Sequence, residues 1–243
     1  MKRTERRHLK QNEFQEAVTQ ALDMLGERRS ELTRTVLVLA VIGVAAASYY
    51  AWYQYRQDKA HSMLADAMVI QESRVGPPAE ATASGSGGKT YPTERDRAQA
   101  AIAKYKAAAD AYPSTDAGLF ARYQEASLQA SLGNSADAIK AYQSVIDRAG
   151  DGLYGQMAKL GLAEAHARAG QYDQAINAFK ELAQRKDGPL PVDGILMQLG
   201  RTYLQAGKRA DAQQTFNRLV EEFPDSTFAG DARKEIETLK KAA

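Results

Sequence analysis

The 243-residue chain has no cysteine, which removes disulfides, thiolate metal sites and cysteine nucleophiles together. That composition suits an oxidising compartment, where stray thiols are hazardous, although many cytosolic proteins share it. Only three histidines occur, His8, His61 and His166, in three different segments, so no two stand at metal-ligand spacing and each reads as structural or surface. There is no Gly-x-Ser-x-Gly. The tempting Gly85-Ser86-Gly87-Gly88-Lys89-Thr90 lacks the first glycine of a phosphate loop, because Thr82 or Ala83 stands at that distance, and no strand precedes it. A basic face is missing as well. The formal charge of +2 lies wholly in the first 34 residues, where eight basic residues meet six acids, and residues 35–243 balance at 24 against 24. Nucleic acid, which demands a clustered cationic surface, is excluded as a partner. The expectation is no catalytic, cofactor-binding or metal-binding residue, no cofactor and no enzyme.

What the chain has is a repeat. Gly133, Gly170 and Gly207 stand 37 residues apart, as do Ala138, Ala175 and Ala212, and the aromatic set Tyr142, Phe179 and Phe216. A fixed period of this length signals stacked supersecondary units. A small residue on the first helix of each pair, at Ala126, Ala163 or Gly200, lets the second helix approach at Ala138, Ala175 or Ala212, and the aromatic four residues later is expected to fill the space between pairs. The glycines end the first helix of each pair in a left-handed conformation. The third copy, Leu196, Leu199, Gly200, Tyr203, Gly207, Ala212, Phe216 and Pro224, resembles the tetratricopeptide pattern. That resemblance implies an all-α solenoid of antiparallel helix pairs that binds proteins. The period exceeds the family's unit of about 34 residues, and the surplus is expected after the second helix, at residues 148–152 and 186–194. Ala101 and Tyr105 stand one period before Ala138 and Tyr142, so residues 95–112 read as the second helix of an earlier unit, for which residues 61–73 could supply the first. A polar helix after Phe223-Pro224-Asp225-Ser226-Thr227 would cap the array.

Residues 35–55 carry no charge. As a helix they span about 31 Å, matched to a hydrocarbon core of about 30 Å. The aliphatic stretch leads into Tyr49, Tyr50, Trp52, Tyr53 and Tyr55, rings with polar tips suited to headgroup level. A single transmembrane helix preceding the repeats is the reading. Ala45-Ala46-Ala47 would serve the rival signal-peptide reading, but a leader of 34 residues with six acids is too long and too mixed in charge. Eight basic residues precede the span, and Arg56 and Lys59 alone follow it over the next 18 positions. Positive-inside therefore places the N-terminus in the cytoplasm and the repeats across the membrane, in the periplasm of a Gram-negative cell.

The chain thus divides into a cytoplasmic leader (1–34), a transmembrane helix (35–55), a helix leading into the repeats (56–74), a Gly/Ser/Pro loop (75–94) and a tetratricopeptide domain (95–241). In the leader, Phe14, Ala17, Val18, Ala21, Leu22 and Leu25 share one helical stripe. Its polar side is acidic, which is unfavourable for lying on an anionic leaflet, so the stripe is either a docking surface for a partner or simply a short helix leading into the span. The loop, with Gly76-Pro77-Pro78 and Ala83 through Gly88, is either an insertion in the first hairpin or a tether between membrane and repeats. The tether requires that residues 61–73 not pack on residues 95–112.

A binding groove is expected on the exposed side of each first helix: Phe120, Tyr123, Gln124 and Ser127, then Met157, Leu160, Glu164 and Arg168, then Met197, Gln198, Arg201 and Gln205. Some of these, Leu160 and Met197 above all, could equally pack against the neighbouring helix. Co-chaperone tetratricopeptide domains that hold a C-terminal carboxylate use Lys and Asn where Tyr123 and Ser127 stand, so that activity is disfavoured.

A short leader, one span at residues 35–55 and about four repeat units resemble the ancillary subunit of the bacterial Sec translocon. The Phe223-Pro224-Asp225-Ser226 ending is similar to tetratricopeptide accessory proteins of outer-membrane assembly and of the Tol-Pal division machinery. The resemblance implies an inner-membrane adaptor or chaperone-like subunit, with translocon subunits, exported polypeptides or envelope chaperones as partners. A structural scaffold of an envelope, secretion or division complex is the alternative.

Overall fold

The computed structural model describes residues 29–76, 89–185 and 188–241. The leader stripe at residues 14–25 and most of the Gly/Ser/Pro stretch lie outside them. Nine helices and one two-residue parallel bridge occur among the described residues, in two compact units, residues 1–55 and 56–243.

The first helix, α1 (Arg29–Gln71), is 43 residues long. Within the first unit, Val36, Leu37, Val38 and Leu39 are 63, 65, 55 and 62% exposed. Four successive residues, at 100° steps, point to all sides of a helix, so no side of this stretch is packed on protein. It is long and apolar enough to cross a membrane.

The second unit is an all-α solenoid. Its first hairpin pairs the C-terminal turns of α1 with α2 (Glu94–Ala111). Ala67, Ala101, Tyr105, Ala108 and Ala109 form one buried cluster there, with Met63, Leu64 and Ile70 packed on it. The Tyr105 hydroxyl donates to Gln71 Oε1 at 2.5 Å, and Arg97 Nη1 donates to the Ser73 carbonyl at 3.0 Å. Residues 61–73 therefore do pack on the second helix, which removes the tether. The ends of the intervening segment are pinned together by β1 (Arg74–Val75) and β2 (Thr90–Tyr91), in register Arg74 to Thr90.

Three hairpins follow: α3 (Asp116–Ser131) with α4 (Ser135–Ala149), α5 (Leu153–Arg168) with α6 (Tyr172–Gln184), and α7 (Val192–Gln205) with α8 (Arg209–Glu222); α9 (Ala229–Lys241) closes the array. Local chemistry sets the boundaries. Thr93 and Thr115 cap α2 and α3, their side chains accepting from the Asp96 and Gly118 amides, so a helix starts where orphan donors find an oxygen. Gly133, Gly170 and Gly207 have φ of 82°, 74° and 74°. At each, the next residue's N–H donates back five positions, Asn134 to Gln129, Gln171 to His166 and Lys208 to Tyr203, at 2.8–2.9 Å. The same Schellman turn is made three times, as the glycine period predicts.

The surplus of the period is distributed differently from expectation. α6 ends at Gln184 and α7 begins at Val192, with seven residues between them in sequence, whereas only residues 150–152 separate α4 from α5, no more than the turns within hairpins. There the extra length is helical: α4 has 15 residues against 13 in α6. Gly150, at φ 55°, ends α4 after these extra residues.

The core follows the repeat. Ala126, Ala138 and Tyr142 share one buried cluster, and Ala163, Ala175, Phe179, Ala212 and Phe216 another. A Cβ built on Gly200 would lie 2.3 Å from Phe216 Cε1, and one on Gly161 2.4 Å from Tyr142 Cζ, so glycine is what allows the aromatic ring to lie on the helix backbone.

Candidate protein-binding groove

The side of the solenoid that could receive a partner follows from which helices approach one another. First helices touch their successors, α3 with α5 and α5 with α7, more extensively than second helices do, so the first helices line the inside of the curve. Within each first helix a small buried residue backs its own aromatic partner: Ala67 with Tyr105, Ala126 with Tyr142, Ala163 with Phe179, Gly200 with Phe216. The residue after it, Met68, Ser127, Glu164 or Arg201, then faces the same way in every unit. Met68 is 39% exposed. The C-terminal turns of α1 therefore extend the groove by one helix beyond the residues expected from sequence. That extension was legible only through the register of Ala67.

The expected residues fall into three groups. Phe120, Tyr123, Gln124 and Ser127 on α3 and Met157, Leu160 and Glu164 on α5 are half-buried. The Phe120 and Tyr154 rings meet at 6.1 Å between α3 and α5, and Tyr123 stands edge-on to Tyr142 at 5.7 Å. Leu160 also packs on the C-terminal core, in keeping with the packing role left open for it. Gln198 is half-buried on α7, and Arg168, Arg201 and Gln205 are exposed. Met197 is a correction. It is 1% exposed and belongs to the core. The segment entering α9 lies on the first turn of α7: Phe228 would meet a Cβ on Gly194 at 3.5 Å, and Ser226 Oγ donates to Asp193 Oδ2 at 2.6 Å. One turn further on, Met197 has no open side.

Electrostatically the groove centres on Glu164. Burial pushes its carboxyl up, against the opposing charge of Arg168. Burial and then the Glu164 charge push the Tyr123 hydroxyl up; burial, followed by Tyr123, carries Tyr142 to about 12, with Ser127 hydrogen-bonded to it. Arg168 Nη1 is turned toward the Ala130 carbonyl, at 3.3 Å. On the other side of α3, Arg122 holds both Asp110 and Glu125, the latter through Nη1 to Oε2 at 2.6 Å. The Arg122 hydrogen bond keeps Asp110 low, and burial pushes Glu125 up. Among the described residues no three His, Cys, Asp or Glu converge on a metal position. An aromatic, half-buried trough with one carboxylate has the chemistry of recognition.

Comparison with known proteins agrees with this geometry. The tetratricopeptide repeat-like domain matches residues 27–227. No curated protein matches the chain. Among solved structures, BtubC (BKLC) from P. vanneervenii is similar with a TM-score of 0.52 at 13% identity, over 78% of this chain and 83% of that one. A tetratricopeptide repeat protein from Parabacteroides merdae scores 0.49 at 18% identity, over 60% of this chain and 55% of that one, so the match spans about half of that protein. MamA AMB-1 scores 0.47 at 15% identity, over 77% and 80% of the two chains. Identities this low speak to fold alone.

Proposed function

Since the chain belongs to the tetratricopeptide repeat-like domain family, whose repeats are protein-interaction surfaces, we propose that it is a membrane-anchored adaptor. It holds polypeptide in the groove of α1, α3 and α5 and serves protein export beside the translocon of a bacterial inner membrane. The observation that carries the binding role is the open aromatic trough of Phe120, Tyr123 and Tyr154, continued by Met68 and Met157. Rings and methionines adapt to varied apolar segments with little loss of side-chain entropy. What supports the anchor is the uncharged stretch 35–55, unpacked on all sides and ending in exposed Tyr49, Tyr50, Trp52, Tyr53 and Tyr55. The basic leader supports a cytoplasmic N-terminus with the repeats in the periplasm.

The same groove could serve a scaffold that holds one folded partner of an envelope or division complex; the polar outer side of α9, with exposed Arg233, Lys234 and Glu237, leaves room for such a contact. Protease added to spheroplasts tests the anchor and its orientation together. Digestion beyond residue 55 with the first 34 residues spared is expected. Protection of the repeats would reverse the orientation, and a mature N-terminus near Ser48 would replace the anchor with a cleaved signal.

A further inference from the structure

The connections between hairpins form a second recess, which shares no residue with the inner groove. Between the segment entering α7 and the segment leaving α8 lies a cleft of about 780 Å³, within the roughly 300–1,000 Å³ of clefts that take a ligand. Leu190, Phe223 and Pro224 give it apolar walls, and Asp193, Glu222 and Asp225 line it with carboxylates, whereas no lysine, arginine or histidine among the described residues lines it. The two walls are tied to each other. Ser226 Oγ donates to Asp193 Oδ2 at 2.6 Å, and the Ser226 amide donates to the Phe223 carbonyl at 3.1 Å. A recess already built loses little freedom when it is filled. Its charge is only partly answered: Arg218 Nε meets Glu222 Oε1 at 2.8 Å, and Asp193 accepts from the Gly194 amide at 2.9 Å, but Asp225 is exposed and has no hydrogen bond or ion pair to a described residue. The C-terminal end of α8 reaches the cleft at Glu222 and Phe223 with no basic residue in its last turn, so the negative end of that helix adds to the carboxylates.

We infer that this cleft is a second docking site for polypeptide, selective for a segment in which an arginine or lysine is flanked by large apolar residues. The cation lies beside Asp225 and the end of α8, and an apolar neighbour lies against Leu190 and Phe223. Charge complementarity chooses the basic side chain, because an acidic one would meet three carboxylates and no lining cation. A metal ion is a poor occupant, since among the described residues no three acidic or imidazole groups converge on one position. A small organic cation would leave the apolar walls unused, whereas a polypeptide covers wall and charge together, on a repeat whose surfaces bind proteins. The site goes beyond the groove reading and does not depend on it.

The test uses the full chain in detergent micelles and a peptide, acetylated and amidated, that places photoleucine-Arg-Leu within a serine-glycine context. After irradiation, mass spectrometry should map its crosslinks to residues 190–193 and 222–226. Unlabelled Leu-Arg-Leu peptide should compete those crosslinks away at about tenfold lower concentration than its Leu-citrulline-Leu or Ser-Arg-Ser twins, which lack the charge or the apolar flanks. Asp225→Lys changes an exposed side chain without a hydrogen bond, so it should melt as the parent does and lose the cleft crosslinks about tenfold or more. Crosslinks confined to the helices of the inner groove overturn the cleft and leave the groove reading standing. Cleft crosslinks that the citrulline peptide competes equally well, or that survive Asp225→Lys, overturn the selection for a basic residue and with it the site. Absence of crosslinks at the cleft overturns it as well, whatever the groove captures.

Discussion

Replacing Gly200 by alanine sets two effects of known sign against each other. In a helix interior the change from glycine to alanine gains roughly 1 kcal/mol from reduced backbone entropy of the unfolded chain. At this position the new methyl would lie 2.3 Å from Phe216 Cε1 and 2.7 Å from Cδ1 and Cζ, far inside van der Waals contact. Phe216 is 0% exposed and shares its cluster with Leu196, Leu199, Tyr203 and Leu219, so the ring has no free volume to enter. Overpacking of this kind costs about 1–3 kcal/mol, and a clash with a fully buried ring belongs at the upper end. The net expectation is a loss of about 2 kcal/mol, read as a lower denaturant midpoint. Gly230→Ala is the internal control. It lies in α9 with nothing within 4 Å of its Cβ, so the same chemical change should be neutral or stabilising by up to about 1 kcal/mol. If Gly200→Ala behaves as Gly230→Ala does, Phe216 does not lie on α7 and the hairpin packing described above is wrong.

Two further perturbations probe the interior. Tyr142, raised to about 12 chiefly by burial, and Tyr105, raised as far by burial and then by Glu72, keep their protons where the unfolded chain would lose them near 10. Their contribution is intact below pH 10 and is lost as pH rises toward 12, by on the order of 2 kcal/mol each; Tyr142→Phe should flatten that alkaline decline, and an unchanged slope in urea titrations at pH 9 to 12 would contradict it. Arg122→Met leaves Glu125, 6% exposed, without its cation and should destabilise by about 3 kcal/mol, with part recovered in the Arg122→Met, Glu125→Gln double variant. A neutral single variant in denaturant melts would show that this cluster is incidental.

Much of the fold was legible because the repeat writes backbone constraints directly into residue type. A left-handed φ needs glycine, so Gly133, Gly170 and Gly207 fixed three turns, and the small residue facing an aromatic fixed the hairpin register at Ala126, Ala163 and Gly200. The surplus of the period lies within α4 rather than in a loop at residues 148–152, because nothing in residue type separates a helix longer by two residues from a longer loop until Gly150 stops it. The groove was half legible. Side-chain chemistry picked out Phe120, Tyr123 and Glu164, while the burial of Met197 depends on where the segment before α9 comes to rest, a tertiary fact without a local signal. Met68 was missed for a related reason: its unit is interrupted between residues 76 and 89, and the 37-residue period therefore does not reach it.

Site-specific photo-crosslinking tests the central claim that the inner groove takes polypeptide. A benzophenone residue placed in turn at Met68, Tyr123 and Met157, with exposed Lys140 on the outer helix α4 as control, would be irradiated in cells during active export. Crosslinks to several exported chains are expected at the three groove positions and none at Lys140. Crosslinks from Lys140 alone would contradict it, and one stoichiometric folded partner at all three groove positions would replace the adaptor with a scaffold.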